Sequence, residues 1–146
     1  MSASRRRLVV DTNFLISAVI GKRKFALSLI ETFARRVDFF APAVGFAELH
    51  EHLPGLLAKW HVPAAEGLAV LERLAVAVQP LDAEITARFE IAARLRIDAR
   101  DPKDWPVLAA ALALTCPLWT DDNDFFGTGI ATWSTPNVRH YLDAEA

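Results

Sequence analysis

The sequence predicts an α/β fold in which a parallel sheet is covered by helices on both faces. Three observations carry this. Short apolar, β-prone runs alternate with longer segments whose apolar residues recur every three or four positions. Parallel neighbours need a crossover, normally a helix, and right-handed crossovers cover both faces of the sheet. The 146 residues are 53% hydrophobic and 23% charged, which supports the core of one domain over residues 1–146 and leaves no room for a second.

Leu8 to Val10 is an apolar run between arginines and Asp11, as in a central parallel strand that ends at the acid. Asn13 is placed to cap the next helix, which carries Phe14, Leu15, Ala18 and Val19 and stops at Gly21 in the basic loop Gly21-Lys22-Arg23-Lys24. Phe25, Leu29 and Phe33 mark the inward face of a second helix, closed by Arg35 and Arg36. Val37 to Ala41 returns as a strand. Pro42 opens a helix with Phe46, Leu49, Leu53 and Leu56 or Leu57 on its stripe and Glu48 in its first two turns.

A helix from Pro63 presents Leu68, Leu71, Leu74 or Ala75, and Val78, before a turn at Gln79-Pro80-Leu81-Asp82. Ile85, Phe89, Ala92 and Leu95 mark another helix. The uncharged run from Trp105 to Thr120 is split by Pro117 into a buried helix, Trp105 to about Thr115, and a strand, Leu118 to Thr120. Ile130 to Trp133 reads as an edge strand. Ser134-Thr135-Pro136 starts the last helix, Asn137 to about Leu142, and a short tail follows.

The single cysteine, Cys116, lies inside the apolar run, so there is no disulfide framework and no cysteine metal knuckle; a reducing cytoplasm fits best. The start, MSASRRRLVV, has the basic region of a signal peptide, but Asp11 interrupts it after three apolar residues. No uncharged apolar run reaches the roughly 18 residues of a membrane span, so a soluble protein with no membrane partner is expected. The formal net charge of −2 gives no global attraction to nucleic acid, although basic residues cluster at Arg5 to Arg7, Lys22 to Lys24 and Arg35 to Arg36.

Five aspartates, Asp101, Asp104, Asp121, Asp122 and Asp124, bracket the uncharged run. Asp11 and Asp122 follow strands, while Glu48 and Asp104 lie near helix starts, and all four positions face the sheet edge where open α/β folds bind ligands. Like charges brought together stay partly protonated or hold cations. Oxygen donors without thiol or histidine partners select Mg²⁺ or Mn²⁺, and such a site suits phosphodiester hydrolysis. Each acid also has a structural reading. Asp11, Asp101 and Asp104 suit helix caps, Glu48 a solvated helix face, and Asp121 a solvated or capping position. His50-Glu51-His52 lacks the spacing of a zinc helix, and Asn13 stands where a phosphatase of the Asp-x-Asp type needs its second acid.

Together, Val9-Val10-Asp11-Thr12-Asn13, Ala47-Glu48-Leu49, Asp104 leading into Leu108-Ala109-Ala110-Ala111, and Trp119-Thr120-Asp121-Asp122-Asn123-Asp124-Phe125 resemble the four acidic motifs of PIN-domain nucleases. The nearest likeness is to VapC-type toxins and their relatives, and it rests on order and spacing over nearly the whole chain. The resemblance implies a mostly parallel five-stranded PIN fold and an Mg²⁺- or Mn²⁺-dependent endoribonuclease that uses metal-activated water. Carried over by position, it implies Asp11, Glu48, Asp104 and Asp122 as catalytic, metal-holding acids, with Asp124 as an auxiliary ligand and Asp101 ranked below Asp104. Thr12, Asn13 and Thr120 would orient acids or substrate. Lys22, Arg23 and Lys24 follow the first helix, where they are placed either to hold RNA phosphates or to form a solvated loop. The toxin likeness adds a small antitoxin partner and a homodimer. The competing reading is a non-catalytic RNA-binding or regulatory PIN domain. Trp105-Pro106, the doubled Asp121-Asp122 and Phe126-Gly127-Thr128-Gly129 depart from the general toxin pattern.

Overall fold

The computed structural model describes residues 5–144; the first four residues of the MSASRRRLVV start and the last two of the tail lie outside them. The strands are β1 (Arg6–Val10), β2 (Val37–Pro42), β3 (Val78–Leu81), β4 (Leu118–Trp119) and β5 (Thr132–Trp133). They form one sheet in the order β3-β2-β1-β4-β5, and every neighbouring pair is parallel. The helices are α1 (Thr12–Val19), α2 (Lys24–Phe33), α3 (Ala43–Lys59), α4 (Ala64–Ala77), α5 (Ala83–Ala87), α6 (Glu90–Ile97), α7 (Trp105–Leu114) and α8 (Val138–Asp143). Among the described residues, no helix is long and apolar enough to cross a membrane.

Alternation along the strands divides the core in two. Leu8 and Val10 of β1, Phe39 and Ala41 of β2 and Trp119 of β4 join the residues of α1, α2, α3, α4 and α8 on one face. Val9 and Leu118 point the other way, into a cluster with Ala93, Ile97 and Val107 to Ala111 of α6 and α7. The three alanines Ala109, Ala110 and Ala111 are fully buried. Their small side chains let α7 lie close over the sheet, and its start is then held firmly at the carboxyl edge.

Several expectations need correction. The fifth strand, β3, occupies the segment read as a turn, because Pro80 argues against a central strand; β3 is an edge strand, where proline is tolerated. The helix expected through Ile85, Phe89, Ala92 and Leu95 is broken between α5 and α6, so its phase slips and Thr86, Ala93 and Ile97 face inward while Leu95 is exposed. Phe25 and Leu68 are likewise exposed, and α2 and α4 bury Ala26, Leu27 and Ile30, and Gly67, alongside the expected residues. The last helix begins at Val138 with Asn137 as its cap, so Pro136 precedes it and is not its first residue.

Pro54 stands exposed inside α3, where it removes one ladder donor. Pro54→Ala is expected to raise stability by about 1 to 3 kcal/mol, the interior penalty less the entropy that proline removes from the unfolded chain. A urea midpoint that rises at unchanged slope would show this; a fall would mean that Pro54 maintains a bend the packing needs.

Candidate functional site

β1 has β2 on one side and β4 on the other, so the strand order reverses there and a crevice opens beyond the carboxyl ends. Asp11 directly follows β1, and its N–H donates to the carbonyl of Trp119 at 3.0 Å. Thr120 directly follows β4 and is fully buried. Its hydroxyl donates to Asp11 Oδ2 at 2.7 Å and accepts the N–H of Asp122 at 3.0 Å. Asp11 Oδ1 accepts the N–H of Asn13 at 3.1 Å, so Asp11, and not Asn13, caps α1. Asp122 Oδ1 in turn accepts the N–H of Asp124 at 2.9 Å. One hydroxyl thus ties the ends of two strands together and orients two acids. Burial pushes the Asp11 carboxyl above its ordinary pKa and the Asp122 charge adds to this; the Thr120 and Asn13 hydrogen bonds and the Arg23 charge oppose it.

Asp104 holds the cap position of α7, yet its side chain makes no capping bond. Its Oδ2 is buried with no hydrogen-bond partner. Its pKa is raised from the ordinary 3.8 to about 7, by burial first and then by the charges of Asp101, Asp11, Asp122 and Asp124. Glu48 arrives from α3. Gly45 permits the approach, since a Cβ there would lie 2.7 Å from Thr12 Oγ1. A cavity of about 270 Å³ is lined by Asp11, Thr12, Asn13, Glu48, Asp101, Lys103 and Asp104 among others.

Three of the four acids that the family resemblance implies as metal-holding, Asp11, Glu48 and Asp104, therefore share one cavity. Asp122 is outside its lining and is tied to Asp11 through Thr120. One carboxylate oxygen from each of Asp101, Asp104 and Asp124 lies within 4.8 Å of the others, so both secondary acids stand beside Asp104. Asp101 also fulfils its capping reading, accepting the N–H of Lys103 at 3.0 Å. An all-oxygen donor set around an unpartnered, buried carboxylate oxygen fits a hard divalent cation of the Mg²⁺ or Mn²⁺ type.

Around the acids, basic side chains act as latches. Asp121 accepts the N–H and the hydroxyl of Thr135, each at 2.7 Å, and pairs with Arg23 at 2.6 Å. Burial raises its pKa, but these partners outweigh it and hold the carboxyl below its ordinary range. Lys22 lies 3.5 Å from the centroid of the Trp60 ring, and Lys24 opens α2. The Phe126-Gly127-Thr128-Gly129 extension is gripped from beneath. Arg96 donates to the Thr128 carbonyl at 2.8 Å, and Arg100 donates to the carbonyls of Asp124, at 3.1 Å, and Phe126. Gly129 has φ +86°, and a Cβ there would meet Arg96 Nη1 at 2.6 Å. Sequence alone does not single out Arg96, Arg100 or Lys103; the signal for the two arginines is the glycine pair in the extension downstream of them, and Lys103 carries none.

The model of the PIN domain family matches residues 9–143. Among solved structures, VapBC2 from Rickettsia felis bound to a DNA fragment from their promoter contains a chain of similar fold. The TM-score is 0.66 at 13% identity, over 88% of this chain and 98% of that one. At that identity the likeness shows the fold alone. No curated protein matches the chain.

A carboxyl raised from 3.8 to about 7 keeps its proton in the folded chain where the unfolded chain has lost it. The folded state then binds more protons in that window, so stability falls as pH rises from about 4 to about 7. In metal-free buffer, Asp104→Asn is expected to flatten this slope and to raise Tm at pH 8 relative to the parent chain. An unaltered pH profile would show that the Asp104 charge is relieved in another way. Arg100→Gln is expected to speed amide exchange across residues 122–128, with partial recovery in Arg100→Lys; unchanged exchange would remove Arg100 from the latch.

Proposed function

The chain belongs to the PIN domain family, and on that premise we propose that it is an Mg²⁺- or Mn²⁺-dependent endoribonuclease that hydrolyses RNA phosphodiester bonds. The observation that carries this reading is Asp104, a half-buried residue whose Oδ2 is buried without a hydrogen-bond partner and faces the charges of four other aspartates. Such repulsion has a use when a cation is shared among the acids. Asp11, Glu48, Asp104 and Asp122 are the proposed principal acids, and Asp124 and Asp101 complete the donor set. When bound, the cation supplies Lewis acidity toward the phosphate and toward water.

The chain's own residues do the rest. The Thr120 hydroxyl fixes the Asp11 carboxylate, so that its charge is aimed before substrate arrives. Glu48 is exposed within the cavity and takes the proton of the attacking water on a carboxylate oxygen. Lys103 lines the same cavity and holds a phosphate oxygen. Lys22 and Lys24 extend that grip, with Arg23 shared between substrate and Asp121. The likeness to VapC-type toxins adds a small antitoxin over the cavity, and a homodimer.

Purified protein is expected to cleave single-stranded or structured RNA in Mn²⁺ and to stop on chelation. Asp104→Asn is expected to lower the rate by about 10²- to 10³-fold, the scale of one lost charge-stabilising group, with stability unchanged or raised. Failure of the parent chain to cleave any of a broad RNA panel, with binding retained, would favour the non-catalytic RNA-binding reading. A variant that fails to fold would make Asp104 a structural residue in place of a catalytic one.

A further inference from the structure

A second cavity, of about 510 Å³, adjoins the acid cavity. Ala83, Thr86 and Ala87 of α5 line it, with Trp105 and Pro106 at the start of α7. Val44, Glu48, Lys103 and Pro106 line both cavities, so the two form a continuous groove. At one end stand the acids; at the other stand an indole, a proline and small aliphatic side chains. The Trp105 ring is half-buried against the second core cluster, with the Arg94 guanidinium 5.3 Å from its centroid, and its remaining surface faces this cavity. Lys103, at the junction, makes no ion pair among the described residues.

We propose that this second cavity is a nucleobase subsite, which takes an unpaired base of single-stranded RNA against Trp105 while the adjoining phosphate lies at Lys103. The proposal rests on the ribonuclease reading and adds to it a base-binding position beside the acid cavity. A nucleotide is the ligand that carries an anion and a flat apolar face side by side, which is the order Lys103 and Trp105 offer. Every base has a π-face, so stacking on an aromatic side chain holds bases with little regard to sequence. Bases in a duplex keep their faces against one another and cannot enter, so the groove selects strands or loops over helices. Ala83 and Ala87 keep the floor low where a bulkier side chain would fill the space. Trp105-Pro106, a departure from the general toxin pattern, thereby acquires a task.

The test is a cycle between protein and substrate. Binding of a short single-stranded RNA, and of the same RNA carrying one abasic position, is measured in Ca²⁺ for the parent chain, Trp105→Leu and Ala87→Trp. Trp105→Leu is expected to weaken the intact RNA about tenfold. At one position in a scan, the abasic RNA is expected to lose the same amount against the parent chain and nothing further against Trp105→Leu. Ala87→Trp fills the cavity from another helix and is expected to reproduce the loss, which guards against a misfolded Trp105→Leu. Losses that add at every position, or an equal loss for duplex RNA, overturn the proposal. So does an unchanged RNA affinity together with loss of a co-purifying small protein, which would give the cavity to a peptide segment. Cleavage in Mn²⁺ separates the two readings. A cycle that holds without cleavage keeps the subsite and removes the nuclease; cleavage that is indifferent to Trp105→Leu does the reverse.

Discussion

Carboxylates repel one another, and at this sheet edge burial, with the charges of Asp101, Asp11, Asp122 and Asp124 added to it, raises the pKa of Asp104 to about 7. Everything near the carboxyl edge bears on how that crowd is kept together. Parallel pairing of β1 with β4 sets Asp11 beside Thr120. The Thr120 hydroxyl couples Asp11 to Asp122, and Asp122 orients the backbone of Asp124. From the other face, Arg100 pulls on the carbonyls of the same turn. Asp104 has no hydrogen bond at Oδ2; its position is imposed by α7, whose buried alanines leave the helix little freedom to withdraw.

Much of this was legible in the residues. Asp11 after an apolar run, and the acids on either side of the uncharged stretch, locate the edge without any structure. The number of strands was not readable in the same way: five came from the family resemblance, whereas the residues themselves marked four. Pro80 hid β3 because a proline disqualifies central strands but not edges. Helical phase failed where an interruption reset it, as between α5 and α6, since periodicity is blind to a break it does not expect. The capping readings of Asp101 and Asp104 looked alike in sequence and part company in space. Asp101 receives a backbone N–H and Asp104 does not. Nor could sequence show Arg96 and Arg100 reaching a loop more than twenty residues away.

The formal net charge of −2 conceals a strongly divided molecule. β1 begins with Arg6 and Arg7 and runs directly into Asp11, so a single strand carries opposite charge at its two ends. Arg5, Arg6 and Arg7, with Tyr141, line a separate cavity of about 360 Å³ near the end of α7. Arg5 is paired with Asp38, and Arg6 donates to the carbonyls of Tyr141 and Ala144. These arginines stand beside the carbonyl-rich end of α7, at the opposite end of β1 from Asp11.

The unpartnered oxygen of Asp104 also makes the fold a gauge of its surroundings. A solute that engages the folded acids and ignores the unfolded chain adds about 1.4 kcal/mol of stability for each tenfold rise in its free concentration above Kd. If the proposed divalent ion is held there, protons compete with it for the same carboxylates. The melting point of this chain would then be set jointly by acidity and ionic supply, and it would register both before any substrate is present.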